Sequence, residues 1–184
     1  MKKIASLTVI AVVMGSAFAA NAASTGTITF NGMVTDTTCN VGVDGQGADA
    51  TVTLPTVAAT DLSVAGQTTG RTSFNMSLSD CAVGSEGENT VSAFFQTGAT
   101  VDNNTGRLKQ TTATGAENVS LQLRDGTNNA VIFAGNQNHM TSNAFVTIKD
   151  GEEITLPYTV EYYAEGVAKS GVVTSSVVYN LQYK

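Results

Sequence analysis

Apolar and polar residues alternate along most of the chain, a pattern typical of β-strands that place one face in a core. Clusters of Gly, Asn and Asp separate the alternating runs, and helical spacing is almost absent. The predicted strands are residues 27–35, 51–54, 73–79, 90–96, 118–124, 131–133, 144–148, 154–162 and 173–183. The least patterned stretch, residues 56–70, predicts a loop or a helical turn. Strands this short and evenly spaced indicate an all-β antiparallel sandwich of immunoglobulin type, built as one domain.

Both ends of the alternating region are patterned as strands, although chain ends usually fray. Near the amino end, Ile28, Phe30, Gly32 and Val34 share one face. The last run has an inward set formed by Val173, Val177, Tyr179, Leu181 and Tyr183. A final strand without a successor can be an exposed edge that pairs with another chain. The matching patterns therefore suggest head-to-tail assembly, which does not close and builds a filament.

The first residues predict a secretory signal peptide over residues 1–22. Lys2 and Lys3 form a short basic region, an apolar run follows, and Ala20-Asn21-Ala22 fits a small-residue cleavage site. No other stretch is long enough to span a membrane, so the mature chain is expected not to insert into one. Export to an oxidising compartment also predicts that the two cysteines, Cys39 and Cys81, form a disulfide.

Composition narrows the functional classes. The net charge is −6 and only 13% of residues are charged, about half of the usual ~25%. So few cations argue against nucleic acid and anionic membrane surfaces as partners. The single histidine, His139, cannot build a histidine-rich zinc site and is predicted to lie in a loop.

Candidate catalytic and ligand-binding motifs are weak. Glu152 and Glu153 follow Asp150-Gly151 and predict a hairpin turn rather than an acid–base pair. Residues 66–72 resemble a phosphate loop superficially, but they lack its lysine and no helix is predicted after them. Residues 102–106 predict a solvated turn rather than a cation site. We therefore expect no enzyme activity, no metal and no cofactor.

The ordered features resemble the major pilin subunits of chaperone–usher fimbriae, the type 1 and P-pilus family. The resemblance rests on residues 26–34 (Gly-Thr-Ile-Thr-Phe-Asn-Gly-Met-Val), the cysteines Cys39 and Cys81, Gly171 and the penultimate Tyr183. The resemblance is carried by the order of these features along the whole chain.

The resemblance implies an incomplete immunoglobulin-like sandwich that lacks its last strand and leaves a hydrophobic groove beside residues 171–183. A periplasmic chaperone would fill this groove temporarily. At the outer-membrane usher, the amino-terminal extension of the next subunit would replace the chaperone strand by donor-strand addition. In this chain, the extension is residues 23–35 and the pilin domain is residues 36–184. The implied donor residues are Gly26, Ile28, Phe30, Gly32 and Val34, with Gly32 over a shallow part of the groove.

The sequence thus predicts a structural subunit of an extracellular fimbria that forms a homopolymer and contributes to cell adhesion. Its expected route is through the periplasm to the cell surface, and its expected role is the repeating rod subunit. Two alternatives stay open: a minor adaptor or terminator pilin, and a self-contained secreted carbohydrate-binding β-sandwich. The second alternative predicts a stable monomer, whereas a pilin purified without a chaperone should aggregate or polymerise.

Overall fold

A computed structural model describes residues 26–184 apart from residues 85, 86, 88 and 138. The predicted signal peptide (1–22) and the first residues of the extension (23–25) lie outside the described residues. The chain divides into two units, Met1–Met33 and Val34–Lys184. In the first unit, residues 26–33 form no helix or strand and are exposed.

The second unit is built almost entirely from strands. They are β1 (Thr38–Val43), β2 (Thr68–Ala82), β3 (Thr90–Phe95), β4 (Leu108–Lys109), β5 (Glu117–Asp125), β6 (Val131–Ile132), β7 (Val146–Thr147), β8 (Ile154–Lys169) and β9 (Tyr179–Tyr183). A 3₁₀ turn at Ala59–Leu62 falls inside the stretch predicted as a loop or helical turn. One further helical turn, α1, spans His139–Ser142. The prediction of an all-β protein is confirmed.

The strands form two antiparallel sheets. The larger sheet has the order β1-β2-β8-β5-β4, with β6 also paired to β5, and the smaller sheet has the order β7-β3-β9. Alternation places Phe74, Met76 and Leu78 of β2 in the core, as predicted. The rings of Phe95 in β3 and Tyr158 in β8 meet edge to face at 5.1 Å and join the two sheets.

A disulfide between Cys39 and Cys81 fastens β1 to β2, and the prediction that these two cysteines pair is confirmed. β1 is the edge strand of the larger sheet, and β2 is its only ladder neighbour among the described residues. The disulfide therefore holds a strand that pairs along one edge only.

Some predicted strand boundaries differ from the structure. β2 and β8 are longer than predicted, and β8 continues from Tyr162 to Lys169 because it lies between β2 and β5 and pairs with both. β1 was missed because its sequence, TCNVGV, lacks strict alternation, and β4 was missed because it has only two residues. The runs at residues 51–54 and 173–178 form no ladder in the described structure, although both alternate.

The outer face of the larger sheet holds a buried carboxylate, Glu161, which is 1% exposed. Its oxygens accept hydrogen bonds from Arg71, Arg124 and Gln122 at 2.7–2.8 Å. Burial by itself would raise the pKa of Glu161, but these donors outweigh burial and lower it. The carboxylate therefore stays charged and ties β2, β5 and β8 together.

His139 is not a loop residue, so that prediction is wrong. It begins α1 and is 1% exposed, with its ring stacked against Phe94 and Phe95. Its Nε2 contacts the Asn143 amide, which also donates a hydrogen bond to the Ala93 carbonyl at 3.1 Å. Burial lowers the pKa of His139 to about 4, and the nearby Asp125 carboxylate offsets this effect only in part.

Acid is therefore expected to destabilise the fold through His139. Unfolded histidine titrates near 6.5 and the folded ring near 4, so the unfolded chain binds more protons between these values and stability falls as the pH falls. We expect a loss on the order of 2 kcal/mol across that range. Urea unfolding midpoints measured from pH 7 to pH 4 test this expectation. His139→Gln, which cannot titrate there, should flatten the profile, and an equally steep profile for this variant would contradict the assignment.

Candidate strand-acceptor groove

An open groove of about 600 Å³ leads from the surface into the hydrophobic core. One wall is the lip, defined as residues 48–57, and the other is the carboxyl edge, defined as residues 171–183. The groove is floored by core side chains, namely Val43, Phe74, Met76, Phe95, Leu108, Leu121, Leu123 and Val160. The gap between the lip and the carboxyl edge therefore opens onto the core, although each floor side chain is at most 8% exposed.

A second cavity of about 450 Å³ lies at the start of the carboxyl edge. Leu62, Ala116 and Val119 line it together with Tyr162. Val173 borders both cavities and forms the ridge between them. The groove thus has a larger compartment beside residues 173–179 and a smaller one beside Gly171.

The carboxyl edge is hydrogen-bonded on one side only. The carbonyls of Val172, Thr174 and Val178 accept hydrogen bonds from the backbone amides of Ala116, Thr111 and Gln96 at 2.7–2.9 Å. The Ser176 carbonyl accepts one from the Thr100 hydroxyl at 2.6 Å. Within the described residues, the backbones of Val173, Ser175 and Val177 make no hydrogen bond. In an extended chain, the backbone N–H and C=O groups of successive residues point to opposite sides of the strand. The backbone groups of these three residues therefore point away from the bonded side, toward the gap.

Side chains of the carboxyl edge alternate between the groove and solvent. Those that face the interior are half-buried: Val173, Ser175, Val177, Tyr179, Leu181 and Tyr183. Their neighbours from Val172 to Asn180 are exposed, including Val172 and Val178 at 65% each, whereas Gln182 is half-buried. The structure thus places the residues predicted for the carboxyl-terminal strand on one wall.

Ser175 belongs to the same wall; the predicted alternating run 173–183 includes it, but the predicted inward set left it out. Its hydroxyl is buried and has no hydrogen-bond partner in the described part of the chain. The alternation from Val173 to Val177 was the signal that could have found it. Ser175 is the smallest of these half-buried side chains.

Gly171 stands where two backbone segments come too close for a side chain. A Cβ at this position would overlap the backbones of Gly115 and Ala116. Glycine is therefore required for the carboxyl edge to approach β5 closely at the smaller cavity.

The lip was not found as a groove wall from the sequence. Val52, Leu54 and Val57 are half-buried and pack against the core. Their alternation produced the predicted strand at residues 51–54, but the backbones of Val52, Thr53 and Leu54 form no hydrogen bond among the described residues. The lip is a strand-like wall without a ladder partner.

The predicted donor residues are exposed in the structure. Ile28 is 77% exposed, Phe30 87% and Val34 95%. A Cβ added to Gly26 or Gly32 would meet no atom within 4 Å. Large apolar side chains exposed in a row are typical of an interaction segment.

The groove carries little charge. Asp49 and Lys169 are the charged residues among those lining the two cavities. No group of acidic, histidine or cysteine side chains suited to hold a metal occurs in the described ranges. The described residues also include no helix long and apolar enough to cross a membrane. The groove is therefore suited to an uncharged chain rather than to an ion.

Comparison with known proteins matches this chain to fimbrial proteins. The family model FimA, described as "Type-1 fimbrial protein, A", matches residues 54–184. The major fimbrial subunit SMF-1 of Stenotrophomonas maltophilia (strain K279a) is 46% identical over 169 residues, covering 90% of this chain and 95% of that protein. The F17 fimbrial protein of Escherichia coli is 37% identical over 177 residues, covering 96% of this chain and 97% of that protein.

Solved structures show the same fold. The P pilus rod subunit PapA matches with a TM-score of 0.58 at 22% identity, covering 79% of this chain and 99% of that chain. A subunit from a chaperone–usher pilus structure matches with a TM-score of 0.59 at 23% identity, covering 88% and 97%.

The two sheets and these structural matches define an immunoglobulin-like pilin fold. The chain belongs to the type-1 fimbrial protein A family. It is accordingly a fimbrial structural subunit of the chaperone–usher type and not an enzyme. Fimbrial subunits are extracellular components of pili.

Proposed function

We propose that this chain is the repeating rod subunit of its fimbria and that it polymerises by donor-strand exchange. Residues 23–35 of one copy fill the groove of the next copy. The observation that carries the proposal is the unpaired backbone of Val173, Ser175 and Val177 beside a groove that opens onto the core. An added strand supplies hydrogen-bond partners to this edge and covers the core at the same time.

The donor segment and the groove are matched in charge and polarity. Residues 23–35 contain no charged side chain, and the groove walls are almost uncharged. Burial of each large donor side chain contributes roughly 1.5–3 kcal/mol. Each new backbone hydrogen bond adds roughly 0.5–1.5 kcal/mol. Ordering the segment costs conformational entropy, which opposes these gains. Completion of the acceptor's core adds a further gain, which makes the net free energy of binding favourable.

Side-chain sizes favour one antiparallel register, with Gly32 opposite the Val173 ridge. Phe30 then lies opposite Ser175, the smallest inward residue, and Val34 lies opposite Gly171. The same register brings Ile28 to Val177 and Gly26 to Tyr179. Each large residue meets a small or medium one, which is the condition for close packing.

Assembly of this kind is head-to-tail, because each copy donates with one surface and accepts with another. Such a contact does not close, so it builds a filament. In the proposed route, the chain crosses the periplasm with a chaperone strand in its groove. At an outer-membrane usher, the extension of the next subunit replaces this chaperone strand. The rod role fits the major fimbrial subunit that is 46% identical to this chain. Contribution to cell adhesion is part of the same proposal.

A cysteine pair tests the register in the full chain. In the proposed alignment, Thr29 of the donor lies directly opposite Ser176 of the acceptor, and both side chains point outward. Opposed residues of this non-hydrogen-bonded type have Cα atoms ~4.5 Å apart, within the disulfide range. Fibres of Thr29→Cys/Ser176→Cys should give a ladder of covalent oligomers on non-reducing gels, which reductant collapses.

The control pair is Thr29→Cys/Asn180→Cys. Asn180 points outward on the same edge, four residues further along, so its Cα lies ~13 Å from the paired position and cannot form the disulfide. Equal ladders from both pairs, or intact fibres of the test pair without a ladder, would contradict the proposed register.

A further inference from the structure

Two tyrosines, Tyr179 on the carboxyl edge and Tyr162 on β8 of the larger sheet, reach the backbone of the lip. The Tyr179 hydroxyl donates a hydrogen bond to the Ala48 carbonyl at 2.8 Å. The Tyr162 hydroxyl, from β8, donates one to the Pro55 carbonyl at 3.2 Å. The two contacts therefore hold the lip near its two ends, at Ala48 and Pro55.

These contacts define the geometry of the gap. Tyr179 reaches across from the carboxyl edge to Ala48, and Tyr162 reaches from β8 to Pro55. No backbone hydrogen bond joins the lip to the carboxyl edge among the described residues. A gap left by one absent strand measures two strand spacings, ~10 Å, and a tyrosine side chain with its hydrogen bond can bridge such a distance.

Little else holds the middle of the lip in place. Gln46 bonds both backbone groups of Thr51 at 3.2 Å, but this contact lies within the same loop. The half-buried Val52, Leu54 and Val57 attract the lip toward the core. Such attraction has no preferred direction, so by itself it would let the lip move over the floor and narrow the groove.

We propose that Tyr162 and Tyr179 are braces that keep the groove open for the donor strand: Tyr179 holds one end of the lip one strand's width from the carboxyl edge, and Tyr162 fixes the other end to β8. The inference rests on the proposed function, because an open groove matters only if a strand enters it. Their rings pack against the core, and their hydroxyls fix two lip carbonyls, one at each end of the lip. Once a donor strand is bound, its own ladder holds the walls and the braces become redundant.

The role is one of positioning, so it affects entry more than retention. A groove that is open only part of the time binds in proportion to that fraction. Removing one exposed hydrogen bond changes the open population by roughly two- to tenfold, the equivalent of ~0.5–1.5 kcal/mol. Tyrosine-to-phenylalanine changes keep the ring in the core and remove only this bond.

The experiment uses the full mature chain carrying Gly32→Leu, so that each molecule can accept a strand but donates one poorly. Tyr162→Phe and Tyr179→Phe are compared with Tyr163→Phe. Tyr163 is the matched control because it stacks under Arg107, 3.9 Å from the ring centroid, on the outer face of the larger sheet. Amide hydrogen exchange at residues 48–57 and the binding rates of a labelled synthetic peptide of residues 23–35 are measured.

We expect exchange at residues 48–57 to rise two- to tenfold in each brace variant and to stay unchanged in the control. Peptide association should slow by a similar factor while peptide release is unchanged. Unchanged amide hydrogen exchange at the lip in both variants would overturn the proposal that these tyrosines are braces. Faster amide hydrogen exchange at the lip with an unchanged rate of peptide association would show that the braces do not serve donor entry. A peptide that fails to bind even the Gly32→Leu parent would count against donor-strand exchange itself. The amide hydrogen exchange data would still test whether the tyrosines hold the lip.

Discussion

Gly32→Leu is expected to reduce fibre yield at least ~tenfold without altering the fold of the molecule that carries it. In its own chain, Gly32 has open space around it, so a larger residue disturbs nothing. In the proposed complex, the same residue lies over the Val173 ridge, where a leucine side chain has no room. Overpacking costs roughly 1–3 kcal/mol and recurs at every interface, so fibre yield should fall at least ~tenfold. Electron microscopy of assembled material measures the yield.

Asn31→Leu is the control for this variant. It adds a leucine to the same segment one residue earlier, where alternation points the side chain away from the groove. Fibre yield should stay close to that of the unchanged chain. If Gly32→Leu formed fibres as well as Asn31→Leu, Gly32 would have no steric role and the register would have to be abandoned.

Cys81→Ser is expected to remove about 4 kcal/mol of stability. The Cys39–Cys81 disulfide closes a loop of 42 residues, and loss of a constraint of that size frees the unfolded chain by this amount. The loss is a large share of the ~5–15 kcal/mol that stabilises a typical domain. The loss of stability should be largest at β1, because this strand is paired along one edge only and leads into the lip. Urea unfolding midpoints and the amount of folded protein in periplasmic extracts measure the effect.

The double variant Cys39→Ser/Cys81→Ser controls for a reactive free thiol. It should lose as much stability as the single variant, because both lack the same cross-link. If only the single variant were weakened, mispairing of the remaining thiol would explain the result. An unchanged midpoint in both would remove the disulfide from the account of stability.

The sequence predicted those parts of the molecule whose cause is local. Alternation in β2, β5 and β8 reports which face meets a core, because side chains of a strand point alternately to its two faces. The same rule identified the inward residues of the carboxyl edge, from Val173 to Tyr183. Two cysteines behind a predicted signal peptide were enough to predict the disulfide. Gly171 entered only through the family resemblance, and the steric reason for it came from the structure.

The sequence could not predict where a strand-like run lacks a partner. Residues 51–54 and 173–178 alternate like any strand, yet neither forms a ladder, because pairing depends on what lies beside a segment. The burial of His139 was missed for a similar reason. A short helical turn between β6 and β7 brings it onto Phe94 and Phe95, and nothing in its neighbours along the chain indicates that contact.

The sequence by itself determined the all-β class, the faces of the strands, the covalent link and a donor-like segment, since each follows from the order of side chains along the chain. The tertiary structure alone decided that the lip and the carboxyl edge face each other across a groove, that Val173 borders both of its cavities, and that Tyr179 spans it. These features join residues more than a hundred positions apart, such as Tyr179 and Ala48, and the distance between such residues is set by the packing of the two sheets.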